Sequence, residues 1–370
     1  MKVALLIPKG KESPSVINTI RSLAKFSEEM GIKTIGNPWK DLMLPKNGDN
    51  IFLDFINKKI HLYKRLMLDT EQFETLILPH PYGIFSPFEN PRYLRAIIDI
   101  RSAELKLWRR IAEKKRLIIY SYDLPILQVG WRFTPEEVER AKFFEREFLS
   151  LADIIMVFNE AARNYLMDQY GIDDNRIIEF EIVEEFSEFA PPSEKPLKDD
   201  RRVVWIGNLS KKYMGDFLKS IKPNPRIKYL FYGVNADWLK ELREDIKYVG
   251  LLPSYEELRS EISKHDFGLL VYSTEMTPYF RFSSSAKFST YMVSGLPVLV
   301  KSNLEYPSEL VKKYNVGWIF EEEKEIPEIV ASITEEEYQK VRRNVLNLGE
   351  KISSGYFTKK AIKEALGRCK

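Results

Sequence analysis

Several residue types that define other protein classes are scarce in this sequence. One cysteine, Cys369, occurs among 370 residues, so no disulfide can form within the chain and a reducing compartment is expected. Three histidines, His61, His80 and His265, are scattered along the chain and do not form a typical zinc cluster with a single cysteine. The sequence therefore predicts a protein without a metal or another cofactor.

Long apolar runs and a dominant charge are also missing. The N-terminal apolar run, residues 3–8, is too short for a signal peptide or a membrane span. Lysine and arginine total 57 against 54 aspartates and glutamates, a net charge of +3, whereas nucleic-acid-binding domains carry a concentrated basic excess. We therefore predict a cytoplasmic protein that does not bind nucleic acid and that holds any anionic ligand with a few placed cations or helix ends.

Signature loops of two large enzyme classes do not occur either. The sequence has no G-x-S-x-G elbow, which counts against α/β-hydrolases, and no G-x4-G-K-S/T loop, which counts against P-loop ATPases. An acidic D-x-D pattern at a strand end, as used by metal-dependent sugar transferases, is not evident.

What is present is a repeated alternation of apolar strands and amphipathic helices. A length of 370 residues fits two domains, and each apolar run ends in a polar or proline-rich turn, as in doubly wound α/β folds. The charged, proline-rich stretch near residue 195 shows no apolar periodicity and is typical of a linker. We predict a first α/β domain over residues 1–190, a linker over 191–201, a second domain over 202–352, and a final helix over 353–370 that crosses back onto the first domain.

The second half of the chain resembles the nucleotide-binding domain of GT-B glycosyltransferases. The segments that carry this resemblance are VVWIGNLSKK, YVGLLPSYEELRSEISKHDFGLLVYS, AKFSTYMVSGLPVLV and VGWIF, while SYDLP and ADIIMVFNEAARNYL in the first half resemble the acceptor domain. Within this group, the chain is most similar to glucosyltransferases that extend glycans on bacterial serine-rich-repeat adhesins and to related galactofuranosyltransferase-like proteins. The resemblance implies an α/β GT-B fold, with two Rossmann-like domains facing each other across a cleft. It also implies a nucleotide-sugar donor, UDP-linked glucose or a related hexose.

Lys287 is the first candidate donor-site residue. It follows the small residues Ser283, Ser284 and Ser285 at the start of a helix, where free amides and the helix dipole favour anions such as a diphosphate. The adhesin-modifying family has a phosphate-contacting lysine at this spacing, which implies the same role for Lys287. The alternative is a solvated surface lysine. Retaining GT-B enzymes carry two glutamates in this region, and the corresponding positions are Phe282 and Thr290.

The IGNLSKKY segment is a second candidate phosphate site. Gly207 and Asn208 would let the backbone turn close to a ligand, and Lys211 or Lys212 would reach a phosphate. The family carries an arginine near this point, which matches Lys211 best. A surface turn with solvated lysines is the alternative.

Three further side chains are candidates for donor contacts. Tyr232 ends an apolar strand, and Tyr279 and Arg281 lie in an aromatic loop just before the helix of Lys287. Packing of the tyrosine and surface mobility of the loop are the alternatives for these residues.

In the first domain, Asp123 ends an apolar strand and would deprotonate an acceptor hydroxyl; its alternative role is to cap a turn. Gly10, Lys11, Tyr82 and Asn159 face the same rim and are predicted to border the acceptor or the cleft.

The basic helix over residues 101–116 has two interpretations, a solvated surface helix or a contact with an anionic membrane. A homo-oligomer is also compatible with the sequence.

Together these observations predict a metal-independent hexosyltransferase acting on a hydroxyl of a glycan, glycopeptide or lipid-linked saccharide. The rival hypotheses are a noncatalytic GT-B-like partner in a glycosylation complex, and an epimerase or phosphorylase of the same fold.

Overall fold

The computed structural model describes residues 2–8, 14–37, 67–80, 102, 105–130, 133–214, 217–239, 243–273 and 276–369. These residues form two compact units. The first combines the described residues up to Glu181 with those from Thr358 onward, and the second comprises Ile182–Phe357. Each unit is an α/β domain with its own parallel sheet.

Six described strands form the sheet of the first unit in the order β2-β1-β3-β4-β5-β6, and every neighbouring pair is parallel. The central strands β3 and β4 are largely apolar and buried, as expected where helices cover both faces of a parallel sheet. The strands are β1 Val3–Pro8, β2 Lys33–Asn37, β3 Thr75–His80, β4 Arg116–Ser121, β5 Ile154–Val157 and β6 Ile177–Glu179.

Residues 67–70 and 105–112 of the first unit are helical, and its helices also include α1 Pro14–Glu29, α2 Pro125–Val129, α3 Pro135–Leu149 and α4 Glu160–Tyr170. Side chains cap the starts of α3 and α4. Thr134 and Glu137 form a capping box at the start of α3, and α4 ends at Gly171, whose φ of 65° suits glycine.

Six described strands also form the sheet of the second unit, all parallel, in the order β12-β11-β10-β7-β8-β9. They are β7 Arg201–Asn208, β8 Ile227–Val234, β9 Ile246–Gly250, β10 Phe267–Leu270, β11 Val298–Lys301 and β12 Gly317–Phe320. The strand order reverses between β7 and β10. In doubly wound folds, ligands bind at the carboxyl ends of the strands at such a reversal.

The described helices of the second unit are α5 Lys211–Met214, α6 Phe217–Ser220, α7 Tyr255–Ile262, α8 Thr277–Phe280, α9 Ala286–Val293, α10 Glu305–Tyr314, α11 Ile326–Ser332 and α12 Glu335–Ser353. Of these, α9 lies directly over the strand reversal. All of its residues from Phe288 to Val293 are buried.

Tyr291 of α9 joins the two strands on either side of the reversal. β7 and β10 pair only at Val203 and Val204. Beyond this pairing, the Tyr291 hydroxyl accepts from the amide of Ile206 at 3.2 Å and lies 3.2 Å from the carbonyl oxygens of Val204 and Leu269. The fully buried hydroxyl therefore satisfies backbone groups where the strands separate.

Residues 191–201, predicted as a linker, lie within the second unit. Lys195 is buried in this segment, and its Nζ donates to the carbonyls of Ser263, at 3.1 Å, and His265. Arg342 of α12 donates to the carbonyls of Pro192 and Ser193. These contacts fix the segment against the second domain although its sequence lacks apolar periodicity.

The last helix, α13 Tyr356–Arg368, is grouped with the first unit from Thr358 onward. Lys359 Nζ lies 2.6 Å from Glu29 Oε2, and Arg368 Nη1 donates to the Asn175 carbonyl at 3.0 Å. The chain thus returns to the domain in which it began.

The apolar side chains of the basic segment around residue 108 face the protein interior. Residues 105–112 are helical, and Leu105, Trp108 and Ile111 are buried, with the Trp108 ring 5.9 Å from that of Phe148. This arrangement fits the solvated-helix interpretation. In the described part of the chain, no helix combines the length and the apolar character needed to cross a membrane.

Candidate functional site

The carboxyl end of β7 is built from glycine because the backbone passes very close to β8. Gly207 has a φ of 117° and Gly233, its neighbour in β8, has a φ of 144°. A Cβ atom on Gly233 would lie 1.8 Å from the Gly207 carbonyl oxygen. Glycine is therefore required at Gly233 for the close approach of the two strands.

Three aromatic rings surround the Lys287 ammonium beside this strand end. Nζ lies 4.5 Å from the ring centroids of Trp205 and Tyr272 and 6.0 Å from that of Phe280. The Tyr272 and Phe280 rings stack in parallel at 3.8 Å. A Cβ atom on Gly207 would come within 3.0 Å of Lys287 Cε. We call Trp205, Tyr272 and Phe280 the aromatic cage.

Among the described residues, no opposing charge lies beside the Lys287 ammonium in the aromatic cage. Nζ donates to the Tyr272 hydroxyl at 3.0 Å, and no described carboxylate lies within ion-pair distance of it. Burial lowers the pKa of Lys287 to about 7, with no other group offsetting this effect. Cation–π contact with the rings partly replaces the lost hydration.

The start of α9 adds a second feature that favours anions. Ser285 is the N-cap residue, and its Oγ accepts from the Lys287 amide at 3.3 Å and lies 3.0 Å from the Tyr272 hydroxyl. The first-turn amides of a helix lack intrahelical acceptors and carry the positive end of the dipole. Lys287, the helix start and the end of β7 thus form one electropositive site at the strand reversal.

A short segment before β7 holds α9 in place. Ser284 Oγ accepts from the Val183 amide at 3.0 Å, and Ser289 Oγ donates to the Val183 carbonyl at 2.6 Å. Thr290 Oγ1 donates to Glu185 Oε2 at 2.6 Å. We call residues 183–185 the strap. The Ser284 hydroxyl thus holds the fold, while the predicted donor contact of Ser284 concerned its backbone amide and stays a prediction.

Glu185 of the strap belongs to a buried ion pair. Its Oε1 lies 2.8 Å from Arg259 Nη1 of α7, and the two side chains are 4% and 1% exposed. Thr290 occupies the position where the resemblance placed a glutamate, and it binds this carboxylate instead. Nothing in the local sequence around residue 185 indicated this pairing, because the partners are far apart along the chain.

The other predicted residues of the IGNLSKKY segment lie at the carboxyl end of β7. Asn208 Oδ1 accepts from the Ser210 amide and from Asn235 Nδ2, both at 3.1 Å. Lys211 and Lys212 begin the short helix α5, and Lys211 Nζ lies 5.8 Å from the Trp238 ring centroid. The geometry places both lysines on the same edge of the sheet as Gly207.

Tyr232, Tyr279 and Arg281 make contacts inside the second unit. The Tyr232 hydroxyl lies 2.8 Å from His265 Nε2, and burial raises the pKa of this tyrosine. Tyr279 is buried against Phe280. Arg281 pairs with Glu305 at 2.8 Å. Their predicted role in donor binding stays a prediction.

In the first unit, both predicted rim residues act locally on the backbone. Asp123 Oδ1 accepts from the Leu124 amide at 2.8 Å, the turn-capping contact of the alternative interpretation. Asn159 caps α4, accepting from the Ala162 amide at 2.9 Å. Gly10, Lys11 and Tyr82 lie outside the described residues.

Sequence reasoning missed the aromatic cage. Trp205 lies within β7, Tyr272 follows β10, and Phe280 ends α8, so the cage forms only when three separate segments meet. Tyr272 alone could have been identified from the sequence, because it comes two residues after the apolar strand β10 and ligands bind at the carboxyl ends of such strands. For metals, the residues covered by the structure contain no group of three histidine, cysteine, aspartate or glutamate side chains that would hold an ion.

Comparisons with known proteins point to one group of enzymes. Residues 203–365 match the protein family described as "Glucosyltransferase 3-like, C-terminal domain". Glucosyltransferase 3 of Streptococcus gordonii is 33% identical over 127 residues, which cover 33% of this chain and 37% of that protein. Beta-1,6-galactofuranosyltransferase WbbI of Escherichia coli (strain K12) is 24% identical over 228 residues, or 59% of this chain and 64% of that protein. The chain thus spans little more than a third of the length of Glucosyltransferase 3.

A solved structure matches over nearly the whole chain. An α-glucosyltransferase in complex with UDP and a 13-mer DNA containing a HMU base has a TM-score of 0.59 and 12% identity, covering 99% of this chain and 98% of that chain. At this identity the likeness concerns the fold. The resemblance stated from the sequence motifs is confirmed: the chain has the two-domain α/β fold of the GT-B glycosyltransferases, and residues 203–365 are similar to the Glucosyltransferase 3-like C-terminal domain.

Proposed function

We propose that this chain is a glycosyltransferase that moves a hexose from a UDP-sugar to a hydroxyl of a glycan, glycopeptide or lipid-linked saccharide. The observation that carries the proposal is the Lys287 ammonium, which lies at the strand reversal with no described carboxylate beside it. A half-buried cation without a counter-ion among the described residues is unfavourable in the empty protein. A diphosphate bound at the start of α9 would supply the missing negative charge.

The site suits the chemistry of a sugar nucleotide. The diphosphate gains negative charge as its bond to the sugar breaks, and fixed cations and amides aimed at its oxygens lower the energy of that step. Lys287 and the first turn of α9 provide both kinds of group, and Lys211 or Lys212 would add a second cation. We therefore propose that the reaction proceeds without a metal.

The names of the relatives support the choice of donor. Glucosyltransferase 3 and galactofuranosyltransferase WbbI are named for hexose transfer, and the fold neighbour was solved with UDP. We also propose a cytoplasmic location, as predicted from the single cysteine.

Calorimetry with UDP, UDP-glucose and GDP in the presence of EDTA tests this proposal. We expect UDP and UDP-glucose to bind with micromolar affinity, and GDP to bind at least about tenfold more weakly, a difference of ~1.4 kcal/mol. Absence of UDP binding at millimolar concentration would contradict the proposal, and a need for Mg²⁺ would contradict the metal-independent part. Binding without sugar transfer to any hydroxyl acceptor would favour the noncatalytic partner.

Asp123 is proposed as the base that accepts the proton of the acceptor hydroxyl. The Asp123→Asn variant keeps an oxygen for the Leu124 amide but loses basicity, so we expect turnover to fall about 100-fold or more with UDP affinity unchanged. Asp168→Asn, at an exposed position of α4, is the matched control. Nearly full turnover in Asp123→Asn would show that Asp123 serves only as a turn cap.

A further inference from the structure

We propose that Lys287 is an uncharged amine while the site is empty, and that a binding diphosphate brings one proton onto Nζ. The inference rests on the proposed function, because it concerns the same anion site. According to this inference, the site takes up one proton when the nucleotide binds and releases it when the nucleotide leaves.

The surroundings of Nζ carry this inference. Nζ lies beside Trp205 and Gly207 of β7 and beside Phe280 of α8. It also contacts the Tyr272 hydroxyl, which lies 3.0 Å from Ser285 Oγ at the start of α9. The titratable group that faces it among these described elements is Tyr272. Burial raises the pKa of Tyr272, so this hydroxyl stays neutral and gives no counter-charge.

Lys287 is half-buried, and the fully buried cations of the second unit have different partners. Arg259 has the Glu185 carboxylate at 2.8 Å. Lys195 donates to two backbone carbonyls and lies 3.9 Å from Asp266 Oδ1. Arg259 and Lys195 thus each have a carboxylate or backbone carbonyl oxygens beside the buried positive charge. At Lys287 the fold provides one neutral hydroxyl and three rings, which accommodate an amine without the desolvation penalty of an ion.

The Tyr272 hydroxyl serves both states of the amine. A neutral Nζ can accept its proton, whereas a charged Nζ donates to its oxygen at the same 3.0 Å separation. Ser285 Oγ, 3.0 Å from the hydroxyl, acts as acceptor or donor to match. Protonation therefore needs a reorientation of two hydroxyl hydrogens and no movement of the backbone.

The proton balance of the cycle is simple. On donor binding, the amine takes a proton from solvent and becomes an ammonium beside the diphosphate. During transfer, the bond from the sugar to the phosphate oxygen breaks, a bond to the acceptor oxygen forms, and the acceptor hydroxyl proton leaves to a base or to water. When UDP departs, the ammonium again lacks a counter-charge and returns its proton to solvent.

The sign of the pH dependence follows by linkage. Burial lowers the pKa of free Lys287 to about 7, and a bound diphosphate raises it. Above pH 7 binding must then take up a proton, so UDP affinity is expected to fall as pH rises, by up to about tenfold per pH unit. Below the pKa of Lys287 in the empty protein, the amine is already charged, so its protonation no longer makes UDP affinity depend on pH.

Two measurements test the inference. Protein labelled with 13C-lysine is titrated by NMR without nucleotide; one lysine Cε resonance, missing in Lys287→Met, is expected to titrate near pH 7 and to move to a higher midpoint with UDP. Lys287→Gln provides a second assignment variant if methionine disturbs the fold. Calorimetry of UDP at pH 8.5, in two buffers of different ionisation enthalpy, is expected to show uptake of about one proton.

The outcomes separate this inference from the proposed function. A Lys287 resonance that titrates near the ordinary lysine value would overturn the inference whether or not UDP binds. UDP binding with no proton uptake at pH 8.5 would overturn it while leaving the proposed function intact. A midpoint near 7 without any UDP binding would support the neutral amine in the empty site and refute the diphosphate as its ligand.

Discussion

Replacing Lys287 with methionine is expected to lower UDP affinity by about 100-fold or more, while making the protein more stable. Loss of affinity follows because the diphosphate would lose a half-buried cation that the bound ligand encloses further, an interaction worth roughly 2–5 kcal/mol when one partner is removed. Stability rises because methionine fills the aromatic cage without the cost of burying a charge. We expect a gain in unfolding free energy of about 0.5–2 kcal/mol.

The increase in unfolding free energy expected for Lys287→Met should depend on pH. The pKa of Lys287 is about 7 in the folded protein and near 10.5 when unfolded, so between these values the unfolded chain binds more protons. The wild-type protein therefore gains stability as pH rises from 7 toward 10.5. The advantage of Lys287→Met is largest at or below pH 7 and shrinks above it.

Urea unfolding at pH 6 and pH 9, with calorimetry of UDP, measures both effects. Lys340→Met, at an exposed position of α12, is the matched control and should change neither property. A Lys287→Met protein that binds UDP like wild type, or that is less stable at pH 6, would refute this account of the site.

Replacing Arg259 with methionine is expected to destabilise the second unit by about 3–5 kcal/mol. The change leaves the Glu185 carboxylate, 3% exposed, without its guanidinium. Since Glu185 also holds Thr290, the loss should weaken the attachment of α9 to the strap. Urea unfolding followed by far-UV circular dichroism measures the effect as a lower midpoint with an unchanged slope.

Two further variants define what the Arg259 result means. Lys264→Met removes a more exposed pair on the same part of the chain, Lys264 with Glu261 at 2.6 Å, and should cost under about 1 kcal/mol. Adding Glu185→Gln to Arg259→Met removes the buried charge and should recover part of the loss. If the double variant is no more stable than Arg259→Met, the ion pair is not the source of the effect.

The sequence predicted those parts of the site that depend on neighbours along the chain. The start of α9 was recognisable from three serines followed by a helical pattern, and the turn after β7 from Gly207. Both features arise from local backbone rules, capping and glycine conformation, which act within a few residues. The strands were predictable for the same reason, because a buried parallel strand is a short apolar run.

The electrostatic state of the site could not be predicted in this way. Lys287 was expected to face solvent or a phosphate, yet its pKa depends on Trp205, Tyr272 and Phe280, which come from three elements. Tyr279 was selected from the aromatic loop, whereas its neighbour Phe280 faces Nζ. A one-residue difference of this kind is decided by packing of the short helix α8, on which the sequence pattern gives no information.

The same limit explains the serines and the linker. Ser284 was chosen for its backbone amide near the helix start, and the sequence did not predict that its hydroxyl binds the Val183 amide. The proline-rich stretch around Lys195 reads as a linker because it lacks periodicity, yet long-range bonds from Arg342 fix it. Contacts separated by a hundred or more residues leave no local signal.

The burial of α9 has a consequence for how the donor preference of such a protein can change. Every residue from Phe288 to Val293 is enclosed, and Gly268 leaves no space for a Cβ atom beside the Tyr291 ring. Substitutions in this helix would damage the fold before they altered the sugar. Laboratory evolution toward a new donor should therefore accumulate changes in exposed connections such as the one carrying Leu251, 63% exposed, with α9 left intact.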